Sequence, residues 1–420
     1  MERDLTFNKM QTPSGTKDYL PAEAKKKRYL EEQIISLFSE WGYQEVITPT
    51  FEFFSALSIG TGSELQEKMY KFFNRQGEIM ALRPEMTAPI ARLVTNRFSG
   101  QEIPLRLSYL ANVFRYEAPL AGRKREFYQA GVELIGCEES LADAEIIALA
   151  IEALERVGLK NFSLDIGQVD YFMGLMEKME LEPEVKSKLK KCLTKKDFVA
   201  LENLVSNTAL SDSEQEAILS LPKLRGGKEI IKQAKELIVN GKSQAALESL
   251  EDIYQQLEEL GVAEQVTLDL STLRGLDYYT GIVFEGYTND LGFTICGGGR
   301  YDNLLGEFGE PNPAIGFSVG IDRLILSLEN QGVKLPTVEE DTFIFYAKDY
   351  RQQAIELARR LRQKGEQVVL EVKERSVAAS IDYAQQKEMG RIIYLGTVDE
   401  INNWDYQLET LFGQEVVIIE

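Results

Sequence analysis

Apolar residues recur at helical spacing over residues 21–41, where Leu30, Ile34, Leu37, Phe38 and Trp41 make one stripe. Pro21 stands near the start of that helix, and Gly42 is placed to close it. YQEVITP then reads as a strand ending at Pro49, and MYKFFNRQGEIMALR as a hairpin that turns at NRQG. Residues 87–98 predict a helix with Thr87 as N-cap and Pro89 tolerated in its first turn. Two long strands come next, at about 105–117 and 125–135. From about 172 to 262 the texture becomes helical and charged, with Leu247, Leu250, Tyr254, Leu257 and Leu260 on one stripe behind Ser243 as a cap; this stretch reads as a helical insertion. Strands return in VTLDLS, GIVFEGY and GFTICGG, and the strand AIGFSVG runs into the helix IDRLILSLENQ. Residues 331–341, polar and holding Gly332 and Pro336, read as a linker. Over 342–420, FIFYA, a helix at 350–364, EQVVLEV, a helix at 376–388 and RIIYLG alternate as β-α-β-α-β, the pattern of a small separate α/β domain.

Composition narrows the chemistry. The chain has 420 residues, 44% of them hydrophobic, enough for two or three domains. No run of 18 apolar residues occurs and the first ten residues hold no apolar core, so neither a membrane span nor a secretory signal is expected. Three cysteines (Cys137, Cys192, Cys296) lie far apart, which gives no disulfide framework and no CxxC metal site and fits a reducing cytoplasm. The net charge of −20 is the wrong sign for a nucleic-acid binder unless a basic stripe stands against it. The chain has no histidine at all. That removes Ser-His-Asp and Cys-His nucleophile pairs, an imidazole general base and any histidine metal ligand. Two origins remain open for it: compositional drift, or a protein that must be made when histidine is scarce.

One constellation suggests a ligand. Alternate residues of a strand share a face, so REFYQAGVELI sets Arg125, Phe127, Gln129, Gly131 and Glu133 on one side. An amide and a carboxylate flanking a glycine make a floor for a small zwitterion, with Glu133 toward its cation and Gly131 leaving room. Arg115 and Glu117 share a face in NVFRYE, and Arg83 and Glu85 in LRPE. Charges on central strands need partners or a ligand; internal ion pairs are the other arrangement that satisfies them. Gly297, Gly298 and Gly299 before Arg300 permit close backbone approach, but no GK[ST] comes after them, so this is not a P-loop. LRGLDYYTG adds Arg274, Tyr278 and Tyr279, and Arg323 falls in the first turn of the last core helix, where it can face a phosphate. No cofactor or metal is called for.

GTKDYLP, LRPE-T, FRYE-P-GR-REF-Q-GVE-IG, RGLDYYTG, and GGGRYD with GFSVGIDRL, in this order, resemble the successive motifs of histidyl-tRNA synthetases. The resemblance covers about residues 10–330 and, more weakly, the tail. It implies an α+β fold: a class II aminoacyl-tRNA synthetase-like antiparallel sheet core over 1–330, with the helical insertion at about 172–262, and a small α/β domain over 342–420. It also implies that Glu85, Thr87, Gln129, Glu133, Arg274, Tyr278 and Tyr279 line a histidine pocket. Arg115 and Arg323 would be a vestigial ATP or phosphate site, and Pro49 would end a homodimer motif.

The departures point to a subfamily. Met86 stands where the synthetase pattern has glycine, Glu117-Ala118-Pro119-Leu120 replaces ERPQ, and Tyr128 replaces the histidine of REFHQ. LRPEMTAPIARLV, YLANVFRYE and LPKLRGGKEIIKQAKELI resemble the paralogue family that regulates ATP phosphoribosyltransferase, the first enzyme of histidine synthesis. Membership of that family would imply a non-catalytic subunit that docks to the short-form catalytic subunit, in a hetero-octamer, with histidine as ligand and with no charging of tRNA. A synthetase proper is the alternative, because Arg115, Arg274 and Arg323 are all retained. Residues 343–420 hold 10 Lys/Arg against 13 Asp/Glu, which offers no electrostatic footprint for an anticodon stem.

Overall fold

The computed structural model describes residues 10–117, 124–179, 181–237, 240–274, 276–336, 341–396 and 415–419. The chain divides into two compact units, Met1–Tyr19 with Lys27–Leu335, and Leu20–Lys26 with Pro336–Glu420.

In chain order the first unit contains α1 (Pro21–Glu40) from Lys27 onward, β1 (Gln44–Glu45), β2 (Phe51–Phe53), the short helices α2 (Phe54–Leu57) and α3 (Gly62–Glu67), β3 (Lys71–Phe73), β4 (Ile79–Leu82), α4 (Thr87–Arg97), β5 (Leu105–Phe114), β6 (Glu126–Ile135), α5 (Ser140–Arg156) and β7 (Phe162–Gln168). Next come α6 (Val169–Lys178), α7 (Pro183–Thr194), α8 (Phe198–Ser206), α9 (Asp212–Ser220), β8 (Arg225–Gly226), α10 (Glu229–Glu236) and α11 (Gly241–Glu259). The unit closes with β9 (Val266–Asp269), β10 (Ile282–Thr288), β11 (Cys296–Arg300), β12 (Ala314–Gly320) and α12 (Ile321–Asn330).

Nine strands form one sheet in the order β1-β5-β6-β12-β11-β10-β7-β9-β8. Its centre, from β5 to β7, is antiparallel throughout; only β1 on β5 and β9 on β7 run parallel. This is the expected antiparallel core. β2, β4 and β3 make a small separate antiparallel sheet. The second unit is a parallel sheet in the order β14-β13-β15-β16, from β13 (Thr342–Tyr346), β14 (Val368–Leu370), β15 (Arg391–Leu395) and β16 (Glu415–Ile419), with α13 (Arg351–Gln363) and α14 (Val377–Gln386) between strands.

Local chemistry explains most boundaries. Leu30, Ile34, Leu37 and Phe38 of α1 are fully buried, and Gly42, at φ 82°, ends it with a conformation that other residues resist. The strand expected over 43–49 shrinks to two residues. Pro49 has no N–H for the ladder, and the chain peels away with Ile47 exposed.

Two expected caps are replaced. Thr87 is not the N-cap of α4; the Glu85 carboxylate accepts from the N–H groups of Thr87 (2.6 Å) and Ala88 (2.9 Å) instead. Asn240, not Ser243, caps α11, in a capping box where Ser243 is the third helical residue. The insertion is also less detached than its charge suggests. Tyr171, Phe172 and Leu175 of α6 and Leu247, Leu250 and Leu257 of α11 join the same core as Leu30 and Ile147. Ile253 joins the stripe fully buried, Tyr254 packs half-buried against the same core, and Leu260 is exposed. Among the described residues no helix is long and apolar enough to cross a membrane.

Candidate functional site

The centre of the large sheet forms the floor of a cavity of about 320 Å³. Register decides which side chains face it. Gly316 lies beside Glu133 and Ser318 beside Gly131. Gly299 then lies beside Gly316 and Gly297 beside Ser318. On the other flank Tyr109 pairs with Gly131 and Ala111 with Gln129. Cross-strand partners project to the same face, so Gln129 and Glu133 share the floor as expected.

The glycines of this lattice make room for functional side chains. A Cβ on Gly316 would sit 1.8 Å from Glu133 Oε2, and one on Gly297 would sit 1.9 Å from Arg274 Nη1. Gly131 works differently from expectation. Its vacant position is filled by the Tyr109 phenol, 2.4 Å from where a Cβ would lie, so it clears space for a side chain rather than directly for a ligand.

Glu133 is the most constrained group, at 1% exposure. It accepts hydrogen bonds from the hydroxyls of Thr87 (3.0 Å) and Tyr301. Burial pushes its carboxyl up to about 8; the two hydroxyl donors oppose this and nearby Glu85 adds to it. Glu85 is also buried and its carboxyl is raised, chiefly by desolvation, against the pull of the N–H groups of Ala88 and Thr87. Both acids are desolvated, line the same cavity and accept two hydrogen bonds each from the protein. Tyr278 and Tyr279 pack ring to ring with centroids 4.8 Å apart, and Tyr278 meets Tyr301 edge-on at 5.6 Å. Gln129 donates from Nε2 to Ser318 at 3.1 Å. Arg274 donates to the Phe284 carbonyl at 3.2 Å.

The structure therefore brings Glu85, Thr87, Gln129, Glu133, Arg274, Tyr278 and Tyr279 onto one cavity, together with Arg115 and Arg323. Arg115 is held by the Pro84 carbonyl at 2.8 Å and lies 5.4 Å from the Phe127 ring centre. Arg323 donates to the Thr294 carbonyl at 2.6 Å and lies over Phe293. Close to Arg323, Asp322 accepts from Lys124 at 2.5 Å and from the Tyr19 hydroxyl and the Tyr128 N–H.

Arg83 and Glu85 do not act on one face. β4 ends at Leu82, and Arg83 turns to the carbonyls of Thr48 (2.8 Å), Pro49 (3.2 Å) and Asn112 (2.8 Å), an architectural role. Pro49 is thus tied to the core through its carbonyl. Ala118 and Leu120 lie outside the described residues.

Sequence reasoning missed Tyr109, Tyr301 and Ser318, which all line the cavity. Tyr301 carried a signal, since it directly follows Arg300 in GGGRYD; Tyr109 had none before the β5–β6 register was known. A second cavity, about 590 Å³, shares the Tyr278–Tyr279 wall, and its lysines are paired: Lys190 with Asp277 at 3.0 Å and Lys242 with Asp170 at 3.3 Å. Among the described residues there is no group of three or more acidic or cysteine side chains able to hold a metal.

The chain has relatives among known proteins. The histidyl-tRNA synthetase family profile matches residues 15–324. The chain belongs to that family of class II synthetase folds, on its branch of ATP phosphoribosyltransferase regulatory subunits. It is 46% identical to the ATP phosphoribosyltransferase regulatory subunit of Desulforamulus reducens, over 90% of this chain and 94% of that one. It is 43% identical to that of Halothermothrix orenii, over 86% of each. A histidine–tRNA ligase of Methanocaldococcus jannaschii is 39% identical over 97% of each chain. Among solved structures, an ATP phosphoribosyltransferase regulatory subunit/histidyl-tRNA synthetase of Bacillus halodurans superposes with a TM-score of 0.83 at 37% identity, covering 92% of this chain and 99% of that one.

Proposed function

We propose that this chain is the non-catalytic regulatory subunit of ATP phosphoribosyltransferase and that it binds histidine in the central cavity as a feedback signal. The observation that carries the ligand is that the buried Glu85 and Glu133 line one cavity with Arg274: acids for the cationic end of an amino acid and a guanidinium for its carboxylate. Gln129 and Tyr278 orient the ligand. The identity of the relatives supports the assembly with a short-form catalytic subunit, for which a hetero-octamer is the expected stoichiometry.

A homodimer is supported by an exposed apolar face on the small sheet. Phe51, Phe53 and Phe72, which share one face of that sheet, are 53%, 48% and 39% exposed, and Phe51 meets Phe72 edge-on at 5.8 Å. Arg115 and Arg323 stand as the remnant of a phosphate site, and charging of tRNA is not expected.

The test is co-expression with the short transferase, then light scattering and a transferase assay with and without histidine. Co-elution with histidine-dependent activity supports the proposal; separate elution with unchanged activity refutes it. The competing reading, a synthetase proper, is favoured by the retention of Arg115, Arg274 and Arg323 at the cavity and by the archaeal ligase relative. Histidine-dependent charging of tRNA in vitro would decide for it.

A further inference from the structure

The recognition of a ligand carboxylate depends on Arg274, and Arg274 comes from a loop between β9 and β10 with no regular structure to hold it. A long side chain on such a loop loses rotamer entropy if a ligand alone must fix it. The surroundings show what fixes it beforehand. The guanidinium lies across one cross-strand pair, Glu285 on β10 and Gly297 on β11. Gly297 provides the gap, since any Cβ there would overlap Nη1. Glu285 provides the charge, with Oε1 3.9 Å from Arg274 Nε. The Phe284 carbonyl takes Nη1 at 3.2 Å, and the Tyr279 ring lies 5.6 Å from the guanidinium carbon.

Glu285 is itself braced. Its Oε2 accepts from the hydroxyl of Tyr287, two residues along the same face of β10. The Tyr287 ring has Lys196 Nζ 5.3 Å from its centre. Lys196 sits just beyond α7, in the helical insertion, and is also 3.9 Å from Asp269. A line of contacts thus runs from the insertion through Tyr287 and Glu285 to the cavity.

We infer that Glu285, braced by Tyr287, is a positioning residue that presents Arg274 to the carboxylate of the ligand; this rests on the histidine reading above. At 3.9 Å the Glu285 contact is longer than the 2.7–2.9 Å of a charge-assisted hydrogen bond. It therefore orients the guanidinium through Nε without capturing the η nitrogens that a carboxylate would need. Glu285 touches no ligand atom in this scheme; it acts through Arg274.

Calorimetry with L-histidine and with histamine, which keeps the imidazole and amine but lacks the carboxylate, tests the inference on the full chain. Wild type should prefer histidine. Glu285→Gln should weaken histidine about 5- to 20-fold while leaving histamine within about twofold, and Tyr287→Phe should do the same to a smaller degree. Near-ultraviolet circular dichroism on each variant confirms the fold. If Glu285→Gln weakens both ligands equally, or neither, the positioning role is overturned while the histidine reading stands. If wild type binds no histidine at millimolar concentration, both fall together.

Discussion

Glu133→Gln should make the empty protein more stable and the ligand-binding site worse. In the fold the Glu133 carboxyl is pushed from an ordinary value of 4.5 up to about 8, because burial penalises its ionised form. In the unfolded chain the same group ionises near 4.5. A group whose pKa is raised on folding contributes stability that is fully present below its unfolded value and is lost as pH rises through its folded value. The loss therefore accumulates between about pH 4.5 and 8 and is constant above that window. At pH 7, roughly 2.5 pH units above the unfolded value, it amounts to about 3 kcal/mol. Glutamine has no charge to bury, and both neighbours can still bond to it: the Tyr301 hydroxyl donates to the amide oxygen, and the Thr87 oxygen accepts from the amide nitrogen. Any packing offset between the two side chains does not depend on pH, so the slope of the difference is the diagnostic quantity. Denaturant melts of both proteins at pH 5, 6, 7 and 8 measure it. The variant should gain on wild type by about 1.4 kcal/mol per pH unit through the lower part of that range and level off near the top. A difference that stays flat would show that Glu133 ionises normally and refute the reasoning. In the same samples histidine affinity should fall about 5- to 150-fold, the loss of one buried charge-assisted contact.

The packing sets three further outcomes. Gly131→Ala should destabilise the chain by about 1–3 kcal/mol in denaturant melts, because its Cβ would lie 2.4 Å from both the Phe317 carbonyl and the Tyr109 hydroxyl. Arg83→Met should cost about 3 kcal/mol by the same assay, since it strips the donors from the buried carbonyls near Thr48 and Asn112. Phe53→Asp, at a side chain exposed on the apolar face of the small sheet, should leave the melting behaviour of the monomer intact while light scattering shows the dimer dissociating. Unchanged dimer mass would place the interface elsewhere.

The residues that needed only local order to be recognised were legible from the chain alone. Gln129 and Glu133 share a face because strand side chains alternate, and that period holds before any partner strand is known. The stripe of Leu30, Ile34, Leu37 and Phe38 fixed α1 for the same reason. The ordered motifs from GTKDYLP to GIDRL fixed the family, and with it the antiparallel core. What alternation could not supply was register between strands. Tyr109 reaches the cavity because β5 pairs it opposite Gly131, and Tyr301 meets Glu133 across 168 residues of sequence. Arg83 reads as a partner of Glu85 in LRPE, yet the strand stops at Leu82 and the two diverge, one to backbone carbonyls and the other to the cavity. Thr87 looks like a helix cap by residue type, but a deeper acid, Glu85, reaches the same N–H groups and frees its hydroxyl for Glu133. Which polar group satisfies which depends on distances that the chain sets only once it has closed on itself. Sequence therefore determined the kinds of residue at the site, and tertiary structure decided their partners and, through burial, their charge.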